Sequence, residues 1–374
     1  MIIAGEASGD LHASRLVRAM NEKNPSFFFF GIGGNALRDA GVRILFDSSE
    51  LAVVGITEVF SKLPTIFKAL STSKSLLKSL RPELIILVDY PDFNFKVAAY
   101  AKKLGIPVLY YISPQIWAWR QGRLKKIKKI VDHMAVILPF EAEYYKKHNI
   151  PVSFVGHPLL EAGAYQKNRE LNIKKEEETN HYTIGLLPGS RYGEILRHLP
   201  VLLDSAEVLN NKLKNIKFII SRASSVKKEF VEDIVNKHKG RAEYELSSDS
   251  VINICAKSSL VVAASGTVTL ETAITGTPMV IIYKMSAPSY WLGRALISVS
   301  HIGLANLVAG KSIVPELIQH KASPENIAEK VYEMLSNPSE LKKIREELFE
   351  LRKKLGGTGA SKRVADIATS MLNL

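Results

Sequence analysis

The chain has 374 residues, 46% of them hydrophobic, and a formal charge of +13 from 50 basic and 37 acidic side chains. That length exceeds one ordinary core, so two domains are expected; the lone Cys255 excludes an internal disulfide framework, and no apolar run approaches the ~18 residues of a membrane span. The excess of positive charge points to an anionic partner: nucleic acid, a membrane surface or a phosphorylated substrate.

No signal peptide is read ahead of the first apolar residues, Ile2 and Ile3. These run into Gly5-Glu6-Ala7-Ser8-Gly9-Asp10 and then an amphipathic helical pattern. A strand–turn–helix of this kind often binds phosphate, but two carboxylates without a lysine would repel it. At the carboxyl end of a strand, Glu6 and Asp10 suit sugar hydroxyls instead, or a share in the work of a base. Further strands are expected at Phe27–Gly31, Leu84–Asp89, Pro107–Ile112, His133–Pro139 and Val152–Val155, with helices between them such as Phe95–Leu104 and Phe140–His148. The strands are nearly continuous apolar runs, which favours a parallel sheet covered on both faces.

Three stretches of this half carry candidate chemistry. From Val59 to Pro82 there is no acidic residue; Leu63, Ile66, Phe67, Leu70, Leu77 and Leu80 form a helical stripe punctuated by Lys62, Lys68, Lys74, Lys78 and Arg81. That is the pattern of an interfacial amphipathic helix, or of a core-packed helix with lysines outside. The strand ending at Asp89 leads through Tyr90-Pro91 to Asp92-Phe93-Asn94. Asp92 there is either a helix cap or a buried general base of raised proton affinity, and Asn94 is a polar contact. Trp117 and Trp119 precede Arg120, Arg123, Lys125, Lys126, Lys128 and Lys129, which reads as a solvated basic helix or as aromatics set against an acceptor.

Gln166–His181 is charged, lacks apolar periodicity and reads as a linker; His157, in Gly156-His157-Pro158, reads as part of a hinge. The pattern then restarts with strands at Thr183–Leu187, Ile216–Ser221, Leu260–Ala264 and Pro278–Tyr283 and helices at Val226–His238 and Val268–Ile274. The chain therefore divides into 1–165, 182–345 and a helical end, 346–374. Its fold class is α/β, two Rossmann-like doubly wound domains facing a cleft, with ligands beyond the carboxyl ends of the strands. In the second domain the turn Gly189-Ser190-Arg191 offers free helix N–H groups and a guanidinium to a phosphate. Ser265-Gly266-Thr267 forms a second such turn, with Glu271 one helical turn on, where a carboxylate can accept from a ribose diol. Asn306 is a ligand contact or a satisfied loop amide.

In this order, "AGEASGDLHASRL", "GIGGNALRDAG", "VDYPDFNFKVA", "YYISPQIWAWRQGR", "LPFEAEYY", "VGHPLLE", "LLPGSRYGEI", "ASGTVTLETA" and "PMVIIYKM" resemble the lipid-A-disaccharide synthase family of GT-B glycosyltransferases over residues 4 to 325. That family usually has a few more residues before its first strand. The resemblance implies a UDP-2,3-diacylglucosamine donor, a 2,3-diacylglucosamine 1-phosphate acceptor, and inversion through one displacement by the acceptor 6-hydroxyl. Asp92 is then the expected base, with Asp89 and Glu6 as alternatives. Arg191 and the two helix N-termini would stabilise the leaving UDP, and Glu271 would hold the ribose. Ser8, Asp10, Asn94, Trp117, Trp119, Leu63, Phe67 and Lys68 fall to the acceptor or the lipid. No cofactor is expected. Because no Asp-x-Asp occurs, no metal is expected either. Both substrates are acylated and anionic, so the basic amphipathic stretch is expected to hold the protein peripherally at the cytoplasmic face of the inner membrane. A homodimer, with the C-terminal helices crossing the domains or onto a partner, is compatible with the sequence. Two rivals remain: a UDP-N-acetylglucosamine 2-epimerase-like enzyme, against which the Leu63–Leu80 stripe argues, and a nucleic-acid binder, for which no motif is present.

Overall fold

The computed structural model describes residues 1–51, 56–119, 121–162, 181–285 and 300–372. The chain forms two compact units, Met1–Glu161 with Leu355–Leu374, and Ala162–Lys354.

The first unit is built on seven parallel strands: β1 (Ile2–Ala4), β2 (Phe30–Gly33), β3 (Arg43–Asp47), β4 (Ile85–Val88), β5 (Val108–Tyr111), β6 (His133–Val136) and β7 (Val152–Phe154). Their order is β3-β2-β1-β4-β5-β6-β7, so the winding reverses between β1 and β4. Helices α1 (Ala7–Lys23), α2 (Asn35–Asp39), α3 (Ile56–Leu80), α4 (Pro91–Lys103), α5 (Ile116–Trp119), α6 (Leu124–Ile130) and α7 (Pro139–Lys147) connect them. Successive strand residues point to opposite faces, and both faces are dry. Ile3, Leu87 and Tyr110 join one core with Leu77, Phe95 and Ile127 from α3, α4 and α6. Ile2, Ala4 and Val88 join the other with Leu16 and Met20 of α1.

The second unit holds β8 (Tyr182–Leu187), β9 (Ile216–Ser221), β10 (Tyr244–Ser247), β11 (Leu260–Ala264), β12 (Met279–Tyr283) and β13 (Glu316–Ile318), parallel in the order β10-β9-β8-β11-β12-β13. Its helices are α8 (Tyr192–Lys212), α9 (Lys228–Lys237), α10 (Val251–Lys257), α11 (Thr267–Thr275), α12 (Leu304–Ala309), α13 (Pro324–Leu335) and α14 (Pro338–Lys354). Its winding reverses between β8 and β11. The last helix, α15 (Ala360–Met371), returns to the first unit, where Val364, Ala365 and Ala368 complete the α1 face of the core. Ser361 N–H and Oγ–H donate to Glu161 at 2.7 and 2.8 Å, and Arg363 Nε–H donates to the Val155 carbonyl at 2.8 Å.

Several expected elements shift. The strand expected from Phe27 starts at Phe30, and the one expected to reach Pro139 stops at Val136 because Pro139 opens α7. Strands β3, β10 and β13 lack a long apolar run; all three are sheet edges and only partly buried. The stripe on α3 divides: Leu70 and Leu77 are core, while Leu63, Phe67 and Leu80 are exposed. Residues 163–180, which hold all of the expected linker Gln166–His181 except His181, lie outside the described residues, as do Arg120 and the side chain of Trp119.

Candidate active site

In doubly wound sheets the crevice forms where the strand order reverses, beyond the carboxyl ends of the two central strands. In the first unit those ends carry Glu6, after β1, and Asp89, after β4. The two turns touch through Gly5: a Cβ there would stand 2.3 Å from the Tyr90 ring, so only glycine lets the turns meet. Asp89 and Tyr90 are both left-handed, at φ 46° and 47°, a costly conformation for residues with a Cβ. The turn is held from beneath. Asn94 Nδ2–H donates to the carbonyl of Asp89 at 2.6 Å, and Tyr110 Oη–H donates to the same oxygen at 2.6 Å. Burial, then the neighbouring Glu6 charge, push the Asp89 carboxyl up to about 6, against a smaller opposing effect from the Tyr90 N–H.

This geometry moves several expected roles. Asp92 is not the buried carboxylate; its side chain is 74% exposed and pairs with Arg123 at 2.5 Å, because as the second residue of α4 it points off the helix start. Of the two, Asp89 is the partly buried one, and the raised proton affinity argued for Asp92 belongs to it. Asp10 is buried, and its carboxylate caps α2, accepting from Gly34 N–H at 2.6 Å and Ala36 N–H at 2.9 Å, so it faces no substrate. Asn94 is fully buried and supports the Asp89 turn rather than contacting an acceptor. Trp117 is also buried, its indole N–H donating to Glu141 at 3.0 Å, and burial pushes the Glu141 carboxyl up to about 7. Glu6 and Ser8 are exposed at the start of α1.

In the second unit the reversal places the Pro188–Arg191 turn beside Ser265-Gly266-Thr267. Gly189 has φ 116°, open only to glycine. The N–H groups of Ser190 and Arg191 are taken by the carboxylate of Glu194, at 3.1 and 3.3 Å, and the Arg191 guanidinium lies 3.3 Å from it. A carboxylate thus already occupies the donors read as a phosphate seat. The S-R-x-x-E spacing is a helix-start signal that reveals this from sequence. Ser265 Oγ–H donates to the Ile302 carbonyl at 2.9 Å, and Thr267 is exposed at the start of α11. Glu271 is raised by burial, and its carboxylate meets no hydrogen-bond donor among the described residues. Asn306 is fully buried and spent on the loop: Nδ2–H donates to the Val314 carbonyl at 2.8 Å and to Glu316 at 2.9 Å, while Oδ1 accepts from the N–H groups of Ile313 and Val314. Of the two readings of Asn306, the satisfied loop amide holds.

The model of a family described as Lipid-A-disaccharide synthetase matches residues 1–371. A lipid-A-disaccharide synthase of Syntrophus aciditrophicus is 47% identical over 376 residues, covering 100% of this chain and 97% of its own. One from Geobacter metallireducens is 47% identical with the same coverages. The chain belongs to the lipid-A-disaccharide synthase family. It is accordingly a glycosyltransferase of lipid A biosynthesis. Among solved structures, MurG of Acinetobacter baumannii aligns with a TM-score of 0.60 at 14% identity over 99% of this chain and 98% of its own. A UDP-GlcNAc 2-epimerase of Neisseria meningitidis bound to UDP-GlcNAc gives 0.62 at 14% identity over 98% of both chains. Those likenesses show the fold, that of GT-B enzymes. The full-length identity to the synthase family sets the epimerase and nucleic-acid readings aside.

Proposed function

We propose that the chain transfers 2,3-diacylglucosamine from its UDP donor to the 6-hydroxyl of 2,3-diacylglucosamine 1-phosphate, with Asp89 as the base. The observation that carries this assignment is a partly buried carboxylate of raised proton affinity, in a left-handed turn, at the strand-order reversal of the first unit. Asp89 takes the proton of the acceptor hydroxyl as its oxygen bonds to the donor anomeric carbon. The bond from that carbon to the diphosphate oxygen breaks on the opposite side, and its electron pair leaves on UDP. Arg191, 72% exposed, is free to swing from Glu194 onto the diphosphate. Glu271 accepts from the ribose diol. Its partly buried carboxylate meets no hydrogen-bond donor among the described residues, which is the condition a diol would satisfy.

The exposed Leu63 and Phe67, with the exposed Lys68, present an apolar surface rimmed by positive charge. We assign it to the cytoplasmic face of the inner membrane, where both lipid substrates are reached. No helix among the described residues is long and apolar enough to cross a membrane.

The test is UDP release from UDP-2,3-diacylglucosamine, with and without the lipid monosaccharide phosphate, in EDTA. Acceptor-dependent release in EDTA supports transfer without a metal. Wild-type rates from Asp89→Asn, with loss from Asp92→Asn, would return the base to Asp92.

A further inference from the structure

His198 lies on α8, fully buried, and is engaged on both sides of its ring. Nδ1 is 3.0 Å from the Pro188 carbonyl oxygen, and Nε2 is 3.0 Å from the Lys284 main-chain nitrogen. A carbonyl can only accept and a main-chain N–H can only donate. The proton must therefore sit on Nδ1, and Nε2 must present its lone pair. The ring also packs on Tyr283, with centroids 5.9 Å apart at 40°.

The two partners are not sheet neighbours. Pro188 follows β8 and Lys284 follows β12, and β11 runs between those strands. No ladder hydrogen bond can link them. His198 spans the gap across the carboxyl end of β11, where Ser265-Gly266-Thr267 begins α11 and where Ser265 N–H donates to the Ile282 carbonyl at 2.9 Å. One imidazole thereby ties the ends of β8 and β12 together across that of β11. We infer that His198 is a positioning residue for the donor, holding the Pro188–Arg191 turn at the separation from the β11 and β12 ends that a nucleoside diphosphate must bridge. This rests on the reading of those turns as the UDP seat. The reach of the imidazole matters because catalytic and binding groups lose much of their effect when displaced by about 1 Å.

The two bonds can be removed one at a time. Asn places its amide nitrogen near Nδ1, so His198→Asn keeps the Pro188 bond and loses the Lys284 bond. Gln reaches the Nε2 position, so His198→Gln does the reverse. Each variant is expected to weaken UDP binding about five- to tenfold by calorimetry, to raise the donor KM similarly, and to leave the acceptor KM within about twofold; His198→Ala should lose more than either. A histidine that only stabilises the fold would lower the melting temperature and leave both KM values alone, which would overturn the inference. Arg191→Ala is the control for the seat itself. Wild-type UDP affinity in Arg191→Ala removes the seat and this inference with it. Loss of affinity there, with wild-type affinity in both His198 variants, removes the inference alone. Should the variants not fold, the wild-type protein decides by nitrogen NMR of labelled histidine. An Nδ1–H tautomer at His198 whose ring signals move on adding UDP supports the role; an Nε2–H tautomer, or signals indifferent to UDP, overturns it.

Discussion

The side-chain amide of Asn94 donates to the carbonyl oxygen of Asp89 at 2.6 Å and to that of Val88 at 3.3 Å. Asn94 is in the first turn of α4, so the helix that follows β4 reaches back to fix the strand's own exit. Two successive left-handed residues persist there because these bonds, with that of Tyr110, over-determine them. Asn94→Ala leaves the Asp89 carbonyl with Tyr110 as its side-chain donor and loosens the turn. We expect a loss of stability on the order of 2 kcal/mol and a fall in kcat of about a hundredfold, with UDP affinity unchanged. Thermal melts and transfer kinetics measure both; an unchanged kcat would mean the turn needs no such support.

The raised affinity of Asp89 sets a pH dependence with a definite sign. The base works only when ionised, so kcat/KM should fall about tenfold per pH unit below about 6. The same group opposes folding. Its folded value, about 6, lies above the ordinary 3.8, so the native state holds the proton more tightly. The penalty is absent below the ordinary value, grows as pH rises between the two, and is complete above about 6. Asp89→Asn should therefore abolish transfer and yet be more stable than wild type at pH 8, by on the order of 3 kcal/mol, with little difference at pH 3.5. Melting temperatures of the two proteins across that range would show it; a less stable variant at pH 8 contradicts the assigned environment.

Glu194 competes with any phosphate for the N–H groups of Ser190 and Arg191. Glu194→Gln removes the charge that a diphosphate must displace, at the cost of a weaker helix start. UDP affinity should rise about three- to tenfold while stability falls by about 1 kcal/mol. Calorimetric titration with UDP checks the first half, and equal or weaker binding would place the diphosphate away from this turn.

Phe67 is 60% exposed and Leu63 38% exposed, so replacing both by serine should barely affect stability. Sedimentation with phosphatidylglycerol vesicles should drop about tenfold or more for the double variant, while UDP affinity is kept. Undiminished sedimentation would move membrane contact to another surface.

Much of the architecture was legible in the residue order. Fully buried parallel strands read as unbroken apolar runs, and Ile216–Ser221 and Leu260–Ala264 match the expected bounds. The strands that escaped, β3, β10 and β13, are edges, where one side is wet and charged residues such as Arg43, Glu245 and Glu316 interrupt the run. The turns that carry the site were legible as well, because glycine and small residues between a strand and a helix mark places of close approach.

What the sequence determined by itself was the family, the two-unit α/β plan, and the short list of polar residues at strand ends. Which of those residues face a ligand was decided by tertiary structure. Asp10, Asp92, Asn94 and Asn306 look alike as polar residues near turns. One caps a helix 24 residues away, one meets Arg123 across α4 and the segment before α6, one supports the turn of Asp89, and one ties a loop to Glu316. Burial and hydrogen-bond satisfaction depend on groups distant in the chain, and no local pattern encodes them. The raised proton affinity of Asp89 has the same origin: it follows first from burial and then from the Glu6 charge, against the opposing Tyr90 N–H, where the two turns meet because Gly5 leaves room for the Tyr90 ring.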